Sequence, residues 1–374
     1  MKATIRLGAA VVAATAALAA LGVLGAPAFA TGINHAVFVQ TDNIKGNQIV
    51  VYDRSAEGKL AQAGVYNTGG LGGALEGSEV DHLASQGSLA LDRQNGLLYA
   101  VNAGSNSVSV FAVFGDKLAL RQVISSGGTF PVSVAVHNGI VYVLNGLEGG
   151  SVQGFAVSGG RLVAIPGSNR ALGLGSETPQ FTHSPGTVVF SPEGTQLIVT
   201  TKANGNDVDV FSVAPGGTLS ATPVVNPLPG TVPFAVTFDR QGHLVLAESA
   251  GALAVFQLRE DGNIEQLDVV ASEQIATCWV VEARGQFYTS NPGSASLSAF
   301  GSSHGGQLLT LLGDTKTDGG TVDATATNDG QFLYVQTGAE GIVDEFSVAP
   351  KGELTEIGSI AVPGAQGGEG IVAG

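Results

Sequence analysis

Positive charge is scarce in this chain. Its 374 residues include 16 Lys or Arg against 31 Asp or Glu, and only 13% of the residues are charged. Lys2 and Arg6 stand in the N-terminal leader, so the chain beyond residue 30 holds 14 basic and 31 acidic residues, a net charge of −17. That balance argues against nucleic acid and anionic membranes as partners, because both are held by basic footprints. Cysteine is reduced to Cys278, which excludes an intrachain disulfide. Within Ala276–Val281 (ATCWVV) it reads as a packed apolar thiol, since a nucleophilic cysteine needs an electropositive, accessible setting. The six histidines, at 35, 82, 137, 183, 243 and 304, never form a close ligand pair, which argues against zinc. No nucleophile elbow and no Gly-rich loop leading into a helix occurs. Beyond the leader there is no second long apolar run and no helix is predicted.

The leader itself is informative. Lys2 and Arg6 precede an uncharged apolar run, Leu7–Leu24, and Ala28-Phe29-Ala30 forms a small-x-small cleavage site. This is the pattern of a secretory signal peptide cut after Ala30. Residues 31–374 are therefore expected as one secreted domain, extracellular, monomeric and free of the membrane once the leader is removed.

Glycine, in contrast, is abundant at 55 residues, as tight turns in a β protein require. The stretch Gly87–Leu118 reads as strand, turn at Asn95-Gly96, strand, polar loop and strand, and the rest of the chain repeats it. The third strand of each unit is expected to end on an aromatic: Tyr52, Phe111, Phe155, Phe211, Phe256, Phe300 and Phe346. Four of the six intervals are 44 to 46 residues; the other two, 59 and 56, carry Gly/Ser-rich insertions at 68–86 and 167–185. First strands align as 88–92, 132–137, 187–191, 235–239, 279–283 and 324–328. Second strands follow at 97–102, 140–145, 196–201, 243–248, 286–291 and 332–337. Fourth strands open on Gly-x-Leu, at Gly58, Gly160, Gly217, Gly306 and Gly352. The first unit, starting at His35–Thr41, lacks its first strand, and Gly367–Gly374 supplies one with nothing after it. The predicted fold is all-β: a seven-bladed β-propeller of four-stranded blades, closed by the C-terminal strand.

In a propeller the loops before first strands and after second strands emerge on one face, the default ligand site. That face should collect Asp81, His82, Asn102, Asn145, His183, Lys202, Glu248, Thr277, Asn291, Asp323, Gln336 and Glu369. Glu248 ends an apolar strand (HLVLAE), where burial would suit a carboxylate to general acid or base work. Lys202 and His183 are the candidates for stabilising an oxyanion beside it. The three asparagines are expected to cap turns with their own side chains. No cofactor is called for; calcium, held by carboxylates and carbonyls at the mouth of a calcium-dependent hydrolase, is the weaker reading.

The repeated units Ser191–Leu219 (SPEGTQLIVTTKANGNDVDVFSVAPGGTL) and Asn328–Leu354 (NDGQFLYVQTGAEGIVDEFSVAPKGEL) resemble those of the lactonase-type seven-bladed propellers, across nearly all of residues 34–374. That group contains 6-phosphogluconolactonases and carboxymuconate cyclases, and it shares its YVTN-type repeat unit with non-enzymatic surface propellers. Active members carry Pro-Arg-His before one inner strand and Glu at the end of the next strand. Glu248 matches the Glu, whereas Pro233-Phe234-Ala235 places Phe234 where the Arg would be. His183-Ser184-Pro185-Gly186 stands for a Pro-His-x-His entry, and Thr321-Val322-Asp323 for a further Arg. The resemblance thus implies a lactonase-like propeller lacking the catalytic arginines, one that binds a small-molecule or protein ligand at its mouth. Lactone hydrolysis with Glu248 as base is the alternative.

Overall fold

The structure is a computed structural model that describes Met1 and residues 35–374; the expected signal peptide lies outside the described residues. Among those residues, period-two apolar runs separated by Gly, Asn and Asp turns fold into seven antiparallel sheets. Each sheet is a blade of four strands in hydrogen-bonded order, inner to outer, and blade 3 adds a two-residue strand, Arg170–Ala171, paired with Ser151–Ser158. Blade 2 is representative: Leu89–Asp92, Leu97–Asn102, Ser107–Phe114 and Lys117–Ser125. The middle strands are buried on both faces, whereas the outer strand alternates buried and exposed residues. No helix among the described residues is long and apolar enough to cross a membrane.

The ring closes as the missing first strand predicts. Ile371–Ala373 pairs with Ala36–Gln40, so the last strand of the chain becomes the innermost strand of the first blade. A second set of ties runs between blades. Tyr142, Tyr288 and Tyr334, each buried on a second strand, donate their hydroxyls to the carbonyls of Gly217, Gly352 and Gly58 in the following blade, at 2.5, 2.9 and 2.6 Å. These are the Gly-x-Leu glycines, and each has a φ between 85° and 94°, a conformation that L side chains rarely adopt. The sequence signature of the fourth strand is thus also an inter-blade hydrogen-bond acceptor.

Three expectations are corrected. The third strands do not end on their aromatics but continue beyond them, as in Gln48–Arg54 around Tyr52. In five blades the outer strand bulges at this point, with register shifts at Val51/Tyr52, Val110/Phe111, Val255/Phe256, Ala299/Phe300 and Glu345/Phe346. The aromatic marks a bend in the ladder and not its end. In blade 4, Gly217-Thr218-Leu219 makes only an isolated bridge with Val213, and the outer strand is Val224–Pro227. Finally, two single-turn helices, Gln180–His183 and Lys202–Gly205, occur where none was predicted; four residues carry no readable 3.6-residue period.

Candidate functional site

The inner strands of blades 5 and 7 begin irregularly. In blade 5, Pro233–Phe238 pairs with Leu244–Glu248 but skips Phe234, which bulges out of the ladder. In blade 7, Thr321–Ala326 likewise skips Val322 and Asp323. Bulges of this kind redirect a side chain without breaking the strand.

The insertion at 68–86 fills the channel mouth that the sequence left open for a ligand. Ser85 donates its hydroxyl toward the Val132 carbonyl of blade 3, and the Trp279 indole of blade 6 donates to the Ser85 carbonyl at 2.5 Å. Gln86 accepts from Val280 of blade 6, Ser133 of blade 3 and Thr187 of blade 4. At the other end of the plug, Val80 lies so close to Gly338 of blade 7 that a β-carbon there would sit 1.7 Å from the Val80 carbonyl oxygen. The insertion at 167–185 joins it: Glu76 and Phe181 share a backbone hydrogen bond, and Gln180 caps the Glu76 amide. Both insertions therefore cover the mouth.

What remains is an off-axis cavity of about 600 Å³ between the plug and blades 4 to 6. Its walls are mainly apolar, with Val80, Phe181, Val232, Phe234, Ala276 and Cys278 prominent. The Phe234 ring packs 4.8 Å from the Trp279 ring. The Cys278 thiol donates to the Ser249 hydroxyl, and burial pushes its pKa up to about 12, so it is un-ionised at neutral pH.

The three sequence-predicted residues do not converge. Lys202 lines the cavity and is fully buried, its ammonium 5.2 Å from the centre of the Phe234 ring. Burial lowers its pKa to about 7, against the pull of Asp81. Its donors go to the Ala84 carbonyl at 2.5 Å, the Phe181 carbonyl at 2.7 Å and the Ser184 hydroxyl at 3.0 Å. An ammonium has three protons, and these three partners use them all. Lys202 thus clamps both insertions to blade 4 and has no proton left for a substrate oxyanion. His183 ends the helix Gln180–His183, with Nδ1 bonded to the Pro179 carbonyl and the Thr182 hydroxyl. It faces a neighbouring crevice of about 330 Å³ with Glu148 and Glu177. Glu248 is buried, and no group donates to its carboxylate among the described residues; burial alone raises its pKa to about 7. Strand alternation puts it on the side of Leu244 and Leu246, which pack against blade 4, and it does not line the cavity.

Of the other mouth residues, Asn102, Asn145 and Asn291 tie the end of a second strand to the third strand, and Asn102 makes no side-chain cap of its turn, contrary to expectation. Asn102 and Asn291, for instance, donate to Ser107 and Ser109, and to Ser296 and Ser298. No three His, Cys, Asp or Glu residues among those described are arranged to hold a metal ion. Asp81, Asp323 and Glu369 are instead gathered with Asp42 under the plug, all four buried. Asp42, Ser85 and Trp279 were not singled out by sequence reasoning; an Asp in a loop or a Trp in a strand carries no local sign of what it meets across the ring.

A closed ring of seven four-stranded blades, with its ligand face occupied by the protein's own insertions, defines the chain as a self-plugged propeller. It belongs to the lactonase family of seven-bladed β-propellers, whose model matches residues 72–367. No curated protein matches the sequence. Among solved structures, a putative 6-phosphogluconolactonase from Bacteroides fragilis is similar with a TM-score of 0.70 and 18% identity, over 90% of this chain and 96% of that one. The periplasmic gluconolactonase of Pseudomonas aeruginosa gives 0.69 and 18%, over 90% and 98%. A protein from Lactobacillus plantarum gives 0.71 and 19%, over 90% and 98%. At such identities these likenesses concern the fold alone.

Proposed function

We propose that this protein is an exported, non-catalytic member of the lactonase family that binds an uncharged, largely apolar small molecule in the cavity beside the plug. The observation that carries this reading is the cavity's chemistry: mainly apolar walls, with Glu79 and Asp81 as the acidic residues lining it and its one lysine fully engaged by protein acceptors. An anionic sugar lactone would find no free cation there, and a developing oxyanion no donor from Lys202. The leader sequence and the acidic balance of residues 31–374 support export as a soluble monomer.

The test uses the neutral fluorophore N-phenyl-1-naphthylamine. Saturable enhancement of its fluorescence is expected, and loss of it in Thr182→Trp, which puts an indole at the half-buried rim of the cavity. Binding that is absent, or unchanged in the variant, would overturn the assignment.

Lactone hydrolysis is a second reading because Glu248, which accepts no hydrogen bond among the described residues, has its pKa pushed up by burial to about 7, suited to a general base. A panel of neutral and anionic lactones, followed by proton release, separates the two. We expect no turnover above background from the parent or from Glu248→Gln; turnover lost in the variant would establish the hydrolase.

A further inference from the structure

Four carboxyl groups from four parts of the chain are buried together beneath the plug. Asp42 follows the strand Ala36–Gln40, Asp81 belongs to the plug, Asp323 lies in the bulge of blade 7, and Glu369 precedes the closing strand. None is more than 5% exposed. Asp42 accepts from the Gln40 amide at 2.5 Å and from the Glu369 backbone N–H at 2.8 Å. Asp81 accepts from the N–H groups of Leu83 and Ser85, and Asp323 from those of Ala324 and Ile371. Glu369 accepts from the Ser88 N–H at 3.2 Å. The other titratable groups facing the cluster are Lys202 and Cys278, within electrostatic reach, and His82, whose ring meets the Asp42 backbone. Among the described residues no ion pair joins Lys202 to any of the four, and its protons are committed elsewhere.

Hydrogen-bond geometry favours a proton on Glu369, because the one Ser85 hydroxyl proton faces two acceptors. The Ser85 hydroxyl lies 2.8 Å from the Val132 carbonyl oxygen and 2.9 Å from Glu369 Oε2. A hydroxyl has one proton, and a carbonyl can only accept. When Ser85 donates to Val132, the short contact to Oε2 is a hydrogen bond only if Glu369 is protonated and donates. An ionised Glu369 would leave one of the two contacts without a proton, in surroundings where its charge is already opposed by Asp81, Asp323 and Asp42.

We propose that the plug is a proton-operated latch. It is held in the channel while Glu369 and its buried acidic neighbours carry protons, and it is released when they ionise and repel Asp81. The latch shares Asp81 and the plug wall with the ligand cavity, but it does not need the cavity to be occupied.

The sign follows from linkage. A carboxyl whose pKa is raised in the closed state keeps its proton there and loses it near pH 4 when solvated. The carboxyls therefore favour closure at low pH, and that advantage is lost as pH rises through the closed-state values; Lys202, lowered to about 7 in the closed state, works in the opposite sense only above pH 7. Burial sets these at about 6 for Asp81, about 7 for Asp323 and about 8 for Asp42, and raises Glu369 as well.

Trp279 is the only tryptophan of the chain, and its indole is bonded to the plug at Ser85, so it reports on docking directly. Acrylamide quenching of its fluorescence would be measured from pH 5 to 8.5 in buffer containing EDTA. We expect the quenching constant to rise about threefold or more as the plug loosens, as in a local opening equilibrium. In Asp42→Asn/Glu369→Gln, whose amides mimic the protonated acids, it should stay low throughout. A flat profile in the parent, or the same rise in the double variant, would overturn the latch. Should the double variant not fold, hydrogen exchange of the parent decides. Protection of residues 75–88, normalised to residues 97–111 of the neighbouring blade, should fall between pH 5 and 8.5, and unchanged protection would overturn the proposal.

Discussion

Removing residues 371–374 is expected to destroy the folded monomer. Ile371 and Ala373 are each 3% exposed and pair with Val39 and Val37 of the first blade. The same short strand accepts a hydrogen bond from Arg93 of blade 2 at the Ala373 carbonyl, and the Ala373 N–H donates to Thr325 of blade 7. Four residues thus join three blades. Their loss exposes the inner edge of Ala36–Gln40, whose five residues are all buried, and leaves an unpaired apolar strand open to other chains. Apolar burial at Ile371 and Val372 together with the lost ladder bonds amounts to about 4–6 kcal/mol, a large share of the stability of an ordinary domain. Urea unfolding and size-exclusion chromatography should show a collapsed midpoint or aggregation. A truncated chain that elutes as monomer with the parental midpoint would refute closure by this strand.

Lys202→Met should cost about 3–5 kcal/mol, the range found when one partner is taken from a buried charged network. Methionine fills similar volume, but the carbonyls of Ala84 and Phe181 lose their donor inside the protein, and both insertions lose their tie to blade 4. The cost should also depend on pH. Burial lowers the Lys202 pKa to about 7, so above pH 7 the folded chain sheds this proton while the unfolded chain keeps it to about pH 10. The unfolded state then binds more protons, and the contribution of Lys202 to stability rises with pH across that window. Since methionine cannot titrate, the deficit of the variant should widen between pH 7 and 9.5 in urea midpoints. A deficit independent of pH would mean that the lysine remains charged in the fold; no deficit would remove its role as a clamp.

The architecture was legible in the sequence because it is written in local, repeated chemistry. Alternation between buried and exposed positions gave the strands. Gly-x-Leu and the aromatics gave the period, and a first unit short of one strand, beside a last strand without a blade, gave the closure. Several boundaries, such as Leu97–Asn102 and Gln286–Asn291, agree to the residue, because turn residues bound those strands on both sides. Glu248 does end its strand, whereas Lys202 and His183 lie in single-turn helices that the sequence did not show. Their environments were not readable: the lysine's three acceptors lie in the two insertions, 18 to 118 residues away.

Tertiary structure alone decided what fills the mouth. Residues 68–86 are rich in Gly and Ser and have no period, so nothing local distinguishes a plug from an open loop. Its position comes from bonds between residues far apart in sequence, Ser85 with Trp279 and Glu369 above all. The gathering of four acids has the same origin. Each is an ordinary Asp or Glu at a turn or strand end, and only ring closure, bringing Glu369 beside Asp42 and the plug, removes them from water together. Local periodicity determines which segments become strands; long-range hydrogen bonding and burial determine what the spaces between blades contain.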